Sequence, residues 1–128
     1  MKEDKQRILL IDDSIHECRT YGSILRTNGH DCVIVHNGLQ GLETLENDPK
    51  IGLVILDLVM PLMRGEEVLT LIRSKSDYDK IPVVLMSASR NMDEIMVLLD
   101  EGGAAEFLSK PIRPKEIISV CEKYLKKK

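Results

Sequence analysis

The stretch IGLVILD at residues 51–57 decides the fold, because six residues without a charged side chain run directly into an aspartate. A continuous apolar run is typical of a parallel strand that is covered on both faces, since a half-exposed strand would alternate apolar and polar residues. Asp57 then places a carboxylate at the edge of a core, which is unfavourable unless a partner compensates the charge. We therefore predict a central parallel strand with a functional carboxylate at its carboxyl end.

Four further short apolar runs flank this stretch, and each is followed by a helical pattern. The five predicted strands are residues 7–12, 32–35, 51–57, 82–87 and 106–108. Ser14 and Glu17 have the spacing of a capping box that opens the first helix, and Asn28-Gly29 ends it. Five β–α units predict a doubly wound, flavodoxin-like α/β fold, with a five-stranded parallel sheet in the order 2-1-3-4-5 and helices on both faces.

Apolar residues within the predicted helices recur at helical spacing. Ile15, Leu39 and Leu71 belong to the stripes that mark the first three helices. The fourth helix carries five consecutive apolar residues at 95–99, and a helix with one buried face cannot hide all of them. We therefore expect Met96 or Val97 at the surface, either as ordinary scattered apolarity or as a patch for a partner or a dimer.

The size and charge of the chain restrict its function. A length of 128 residues predicts a single domain over residues 1–128 with no output domain. The net charge of −3 argues against a surface built to hold nucleic acid or anionic lipid, and we expect no membrane segment. Three cysteines without metal-site spacing predict free thiols in a reducing compartment, the cytoplasm.

Polar residues gather where the predicted strands end. Asp12-Asp13 follow the first strand, Asp57 ends the third, Ser87 ends the fourth and Lys110 follows the fifth. In this strand order the first and third strands are neighbours, so three carboxylates converge and repel one another unless a cation or a shifted protonation state relieves the repulsion. Oxygen ligands favour a small hard cation such as Mg²⁺.

This set of groups suits a phosphoryl group. The cation and Lys110 would neutralise the charge on phosphoryl oxygens, and the Ser87 hydroxyl would donate a hydrogen bond. An aspartate can be the nucleophile and form an aspartyl phosphate. Asp57 is the best candidate, because it ends the central strand between the cation and Lys110.

Taken together, these motifs resemble the receiver domain of two-component response regulators, of the single-domain chemotaxis-regulator type, over essentially the whole chain. The residues that carry the resemblance are Asp12-Asp13, Asp57, Met60-Pro61, Gly65, Ser87-Ala88 and Lys110-Pro111. The resemblance implies phosphorelay signalling, in which Asp57 accepts a phosphoryl group from a phosphohistidine on a sensor histidine kinase or a histidine phosphotransfer protein. It also implies a cis Lys110-Pro111 peptide bond.

The resemblance assigns roles to the remaining residues. It implies Mg²⁺ or Mn²⁺ bound by Asp13, Asp57 and the backbone carbonyl of Val59, with Asp12 acting mostly through water. Ser87 and Lys110 would hold the phosphoryl oxygens. Phe107, the only phenylalanine, matches the aromatic switch: Ser87 moves toward the phosphoryl group, the ring rotates, and the face formed by the fourth helix, fifth strand and fifth helix changes.

Such a chain is a phosphoacceptor that assists its own phosphorylation and dephosphorylation, not a dedicated enzyme. Its output would be contact with an unknown protein target, as a monomer or a weak dimer that depends on phosphorylation. Two alternatives stay open: a receiver fold that binds partners without phosphorylation, and a phosphatase of the haloacid dehalogenase type. The phosphatase pattern needs an aspartate at the position of Val59 and a substrate-capping domain. The apolar Val59 also predicts a long-lived phosphoryl group.

Overall fold

Five parallel strands form one sheet in the order β2-β1-β3-β4-β5, as predicted. The computed structural model describes residues 5–89 and 91–125, so residues 1–4, 90 and 126–128 of the predicted domain lie outside it. The strands are β1 Arg7–Ile11, β2 Asp31–Val35, β3 Ile51–Asp57, β4 Val83–Ser87 and β5 Glu106–Ser109. The helices are α1 Ile15–Thr27, α2 Gly38–Asn47, α3 Gly65–Arg73, α4 Met92–Asp100 and α5 Pro114–Tyr124, with a 3-10 turn at Ser76–Tyr78.

The central strand β3 is buried along its whole length, which is the reason for its continuous apolar sequence. Its side chains alternate between the two faces of the sheet. Leu53 and Ile55 pack in a cluster that contains the apolar residues of α1 and α5. Val54 and Leu56 pack in a second cluster with α2 and α3. The helices therefore cover both faces, and only the strand ends remain open for a site.

Only one of the two hydrogen bonds of the capping box predicted for α1 is present. The Ser14 hydroxyl oxygen accepts a hydrogen bond from the Glu17 backbone N–H at 3.2 Å, as the pattern indicates. The Ser14 backbone N–H, however, donates to Asp12 Oδ1 at 3.0 Å. Because that donor is already occupied, the Glu17 carboxylate is free to contact Lys110 instead.

Three apolar residues assigned to helical stripes are exposed: Ile15 by 61%, Leu39 by 62% and Leu71 by 43%. The apolar stripe that is buried against the sheet is therefore narrower in each helix than the apolar stripe in the sequence. In α3, for example, Val68 and Ile72 are buried, and Leu71 lies about 100° around the helix from Ile72.

The exposed side of α4 agrees with the prediction. Met96 and Val97 are both exposed, by 47% and 52%, whereas Ile95 is buried. In the part of the chain that the structure describes, no helix has the length and apolar character needed to cross a bilayer. Cys18, Cys32 and Cys121 are buried free thiols, as expected.

Candidate functional site

The strand register brings the predicted polar residues to one edge of the sheet. Asp57 is the last residue of β3, and it pairs in register with Met86 of β4. Ser87 ends β4 beside Ser109 of β5, so that Lys110 follows on the same edge. Asp12 follows β1, which is the other neighbour of β3. Four neighbouring strands thus end at one site.

Three carboxylates at this edge have the geometry of a cation site. One oxygen each from Asp12, Asp13 and Asp57 can lie within 4.8 Å of the others. Asp12 and Asp57 are buried, whereas Asp13 is exposed to solvent. Since carboxylate oxygens are the preferred ligands of hard divalent cations and water can reach the open side, these residues fit Mg²⁺.

A cavity of about 280 Å³ opens above the three carboxylates. Ser14, Glu17, Val59, Ala88 and Lys110 complete its lining. The cavity gives a small anionic group access to Asp57 from solvent. Ser87 is not among the described lining residues: its hydroxyl is fully buried, and the oxygen accepts a hydrogen bond from the Ser89 N–H at 2.9 Å.

Burial dominates the electrostatics of the two inner carboxylates. Desolvation, together with the neighbouring Glu17 and Asp57, raises the pKa of Asp12 to about 7, against the opposing hydrogen bond from the Ser14 N–H and the charge of Lys110. Burial also raises the pKa of Asp57, although Lys110 and the Val59 N–H act in the opposite direction. Two buried acids with raised pKa values indicate a site in which negative charge is under-compensated by the protein alone.

Lys110 is the cationic centre of the site. Its Nζ lies 3.2 Å from Asp12 Oδ2, 3.4 Å from Asp57 Oδ1 and 2.5 Å from Glu17 Oε1. Burial alone would lower the pKa of Lys110, but the hydrogen bond to Glu17 and the charges of Asp12 and Asp57 outweigh it and raise the pKa. The ammonium group is therefore charged whenever the site is intact.

The loop after β3 holds Asp57 in place through backbone contacts. The Val59 N–H donates to Asp57 Oδ1 at 3.3 Å, and the Gly65 N–H donates to the Leu58 carbonyl at 3.0 Å. A Cβ on Gly65 would lie 2.6 Å from Leu58 Cα and would also collide with the Asp57 carbonyl oxygen. Glycine is required here because α3 begins directly against the backbone of the site.

The loop after β5 completes the site. The Lys110 N–H donates to the Ser87 carbonyl at 2.9 Å, which joins the ends of β4 and β5. The Lys110-Pro111 peptide bond is cis, as predicted. Phe107 is half-buried on β5 and packs against the cluster that contains Val54 and Leu56, so its ring lies next to the core without being enclosed by it.

Two contributors to the site were not predicted from the sequence. Glu17 contacts Lys110, although its spacing from Ser14 indicated only a helix cap. His36, after β2, places Nδ1 3.1 Å from the Asp12 carbonyl oxygen. Glu17 could have been predicted as a site residue, because it is an acidic residue in the first helical turn after Asp13. For His36, the only indication in the sequence was its position at the end of a strand.

Comparison with known proteins agrees with this geometry. Residues 8–122 match the family model described as the response regulator receiver domain. The chain is 33% identical over 125 residues to the two-component response regulator ORR3 of Oryza sativa subsp. indica, covering 98% of this chain and 95% of that protein. It is 34% identical over 119 residues to the regulator ORR5 of Oryza sativa subsp. japonica, covering 93% of this chain and 88% of that one.

Solved structures share the fold. The signal receiver domain of a putative Luxo repressor protein from Vibrio parahaemolyticus superposes with a TM-score of 0.83 at 28% identity, over 94% of this chain and 89% of that chain. The chemotaxis protein CheY4 of Vibrio cholerae gives a TM-score of 0.86 at 22% identity, over 94% and 99% of the two chains. The matched segment includes all five strands except the first residue of β1, and all the site residues described above. The chain belongs to the response regulator receiver domain family of phosphorelay signalling.

Proposed function

We propose that Asp57 accepts a phosphoryl group from a phosphohistidine on a sensor histidine kinase or a histidine phosphotransfer protein. The observation that carries the proposal is the Asp57 carboxylate, which is 4% exposed at the floor of an open cavity. Lys110 Nζ lies 3.4 Å from one of its oxygens, and the Asp12 and Asp13 carboxylates lie beside it. Nucleophile, countercharge and cation ligands are therefore in one place.

The transfer is a displacement at phosphorus. An oxygen of Asp57 forms a bond to phosphorus while the phosphorus–nitrogen bond of the donor breaks, and the departing imidazole keeps the electron pair and takes up a proton. Lys110 stabilises the negative charge on the phosphoryl oxygens as they approach. The donor is a phosphorylated protein, so the chain acts on its own aspartate and turns over no separate substrate.

Asp13, Asp57 and the Val59 carbonyl would hold Mg²⁺ or Mn²⁺, with Asp12 acting through water. When bound, the cation would supply positive charge that neutralises the carboxylates and the incoming phosphoryl oxygens. The support is the carboxylate cluster itself, because its oxygens lie within 4.8 Å of one another. Ser87 would donate a hydrogen bond to a phosphoryl oxygen after leaving the Ser89 N–H.

The readout would be a change of protein partner at the α4-β5-α5 face. Movement of Ser87 would free space for the Phe107 ring, which already packs at the margin of the core. Met96 and Val97 expose apolar surface on α4 for a downstream protein target or for a weak dimer that forms on phosphorylation. We place this exchange in the cytoplasm, since three buried free thiols suit a reducing compartment.

The two alternatives are less well supported. A phosphatase of the haloacid dehalogenase type needs a general acid two residues after the nucleophile, and Val59 cannot transfer a proton. A receiver fold that only binds partners has no need of a buried Asp57 next to Lys110, because burial of the carboxylate is unfavourable.

The test is incubation with acetyl phosphate and Mg²⁺, followed by intact mass. We expect the wild type to gain the mass of one phosphoryl group, and Asp57→Asn to gain none. Asp77→Asn is the matched control, because it removes an exposed aspartate away from the site, and we expect it to be modified as the wild type is. An unmodified wild type would favour the binding module, and rapid hydrolysis of other phosphate monoesters would favour the phosphatase.

A further inference from the structure

Carboxylates surround the Lys110 ammonium group: it donates hydrogen bonds to Asp12 and Glu17 and forms an ion pair with Asp57. A lysine Nζ carries three N–H donors, and three carboxylate oxygens from Asp12, Glu17 and Asp57 surround this one. Its side chain is only 12% exposed, so solvent has little access. A phosphoryl oxygen on Asp57 would therefore compete with these carboxylate oxygens for the Lys110 ammonium group.

Glu17 is the carboxylate that can leave. Asp57 carries the phosphoryl group, and Asp12 is fully buried and held by the Ser14 N–H. The Glu17 side chain is 36% exposed, so water can solvate its charge after it leaves Lys110. Glu17 also has room to move, because a cavity of about 430 Å³ lies beside it, between α1 and the loop after β5.

We propose that Glu17 is a positioning residue that competes with the phosphoryl group for the Lys110 ammonium and so stabilises the unphosphorylated state. The proposal rests on the proposed phosphorylation of Asp57. The contact spans 93 residues of chain and joins the first turn of α1 to the loop after β5. It therefore couples the position of Lys110 to the start of α1.

The charge state of Glu17 supports the competition. Burial would raise the pKa of Glu17, but its hydrogen bonds with Lys110 and Asp12 and the Lys110 charge lower it below the usual range. A carboxylate that stays ionised holds an ammonium group more strongly than a neutral acid would. Glu17→Gln keeps the shape of the side chain and removes this charge.

The experiment measures the binding of beryllofluoride, a stable phosphoryl mimic, by calorimetry in saturating Mg²⁺. We expect the dissociation constant for Glu17→Gln to be about fivefold lower than for the wild type, the upper range for a partly exposed ion pair. Glu43→Gln is the matched control, because it removes one exposed glutamate on α2, and we expect it to bind as the wild type does.

Two further measurements separate the direct contact from a general charge effect. In about 1 M salt the Debye length is about 3 Å, so a long-range effect would vanish whereas the contact effect should persist. The ¹⁵N resonance of Lys110 Nζ should shift in Glu17→Gln without beryllofluoride and remain unchanged in Glu43→Gln. Glu17→Asp has a side chain that is one methylene shorter, and we expect it to bind beryllofluoride more tightly than the wild type does. This variant replaces Glu17→Gln in the binding test if the glutamine variant does not fold.

Each outcome has one meaning. A wild type that does not bind beryllofluoride overturns the proposed function and with it this inference. A wild type that binds, with Glu17→Gln equal to or weaker than Glu43→Gln, overturns the role of Glu17 alone. Loss of the difference in high salt also overturns it, since the effect would then be long-range.

Discussion

In the proposed phosphorylated state, Val59 would border the path by which water reaches the Asp57 phosphoryl group. Its side chain lies at the rim of the Asp57 cavity and is 64% exposed. An apolar side chain cannot hold an attacking water by a hydrogen bond, so the phosphoryl group should be lost slowly. We expect Val59→Asn to accelerate the loss about fivefold, which is the effect of one hydrogen bond in the transition state.

The measurement is the decay of the phosphorylated mass after acetyl phosphate has been removed. Val97→Asn makes the same change at a similarly exposed valine on α4 and should decay at the wild-type rate. Equal or slower loss of the phosphoryl group in Val59→Asn would show that the residue at this position does not limit hydrolysis.

At the scale of elements, Arg73 connects the end of α3 to two loops. Its guanidinium donates to the carbonyls of Gly103 at 2.9 Å, Tyr78 at 2.9 Å and Ile81 at 2.6 Å. A lysine cannot reproduce this planar fork, so Arg73→Lys would leave carbonyl groups without a donor. We expect the free energy of unfolding to fall by about 2 kcal/mol.

Urea unfolding measures this effect, with Arg26→Lys as the matched control. Arg26 sits in α1 and donates to one carbonyl, that of Cys32, at 3.0 Å. We expect the control to lose less than half as much stability. Equal losses in the two variants would mean that the three carbonyl contacts of Arg73 add nothing beyond a single hydrogen bond.

The elements show which contacts a sequence can predict. The five strands and their order followed from continuous apolar runs, and the observed bounds differ from the predicted ones by no more than one residue at an end. Asp57 and Lys110 were found because strand ends in a parallel sheet meet at one edge. Glu17 was misassigned because its partner is 93 residues away, and a local pattern such as a capping box carries no information about such a contact.

At the scale of the whole molecule, the polar residues at the ends of four strands lie together at one edge of the sheet. Negative charges outnumber positive charges there. Asp12, Asp13 and Asp57 face the single ammonium of Lys110, with Glu17 beside it. The hydrophobic clusters on both faces of the sheet fix the ends of β1 and β3, so the buried Asp12 and Asp57 carboxylates stay close to each other. A bound cation should therefore stabilise the entire fold and not only the loops that hold it.

We expect Mg²⁺ to raise the melting temperature of the wild type relative to NaCl of equal ionic strength. A ligand that binds only the folded state stabilises it by about 2.7 kcal/mol at one hundred times the dissociation constant, which corresponds to about 10 °C for a domain of this size. Asp13→Asn removes one cation ligand and one negative charge. Without Mg²⁺, this variant should therefore melt at a temperature similar to or higher than that of the wild type. When Mg²⁺ is added, its melting temperature should rise much less than that of the wild type. Glu43→Gln changes the net charge equally, away from the site, and should keep the full response. A wild type with the same melting temperature in both salts would contradict a cation site among these carboxylates, whatever the outcome of the phosphorylation test, because the stabilisation follows from the carboxylate geometry alone.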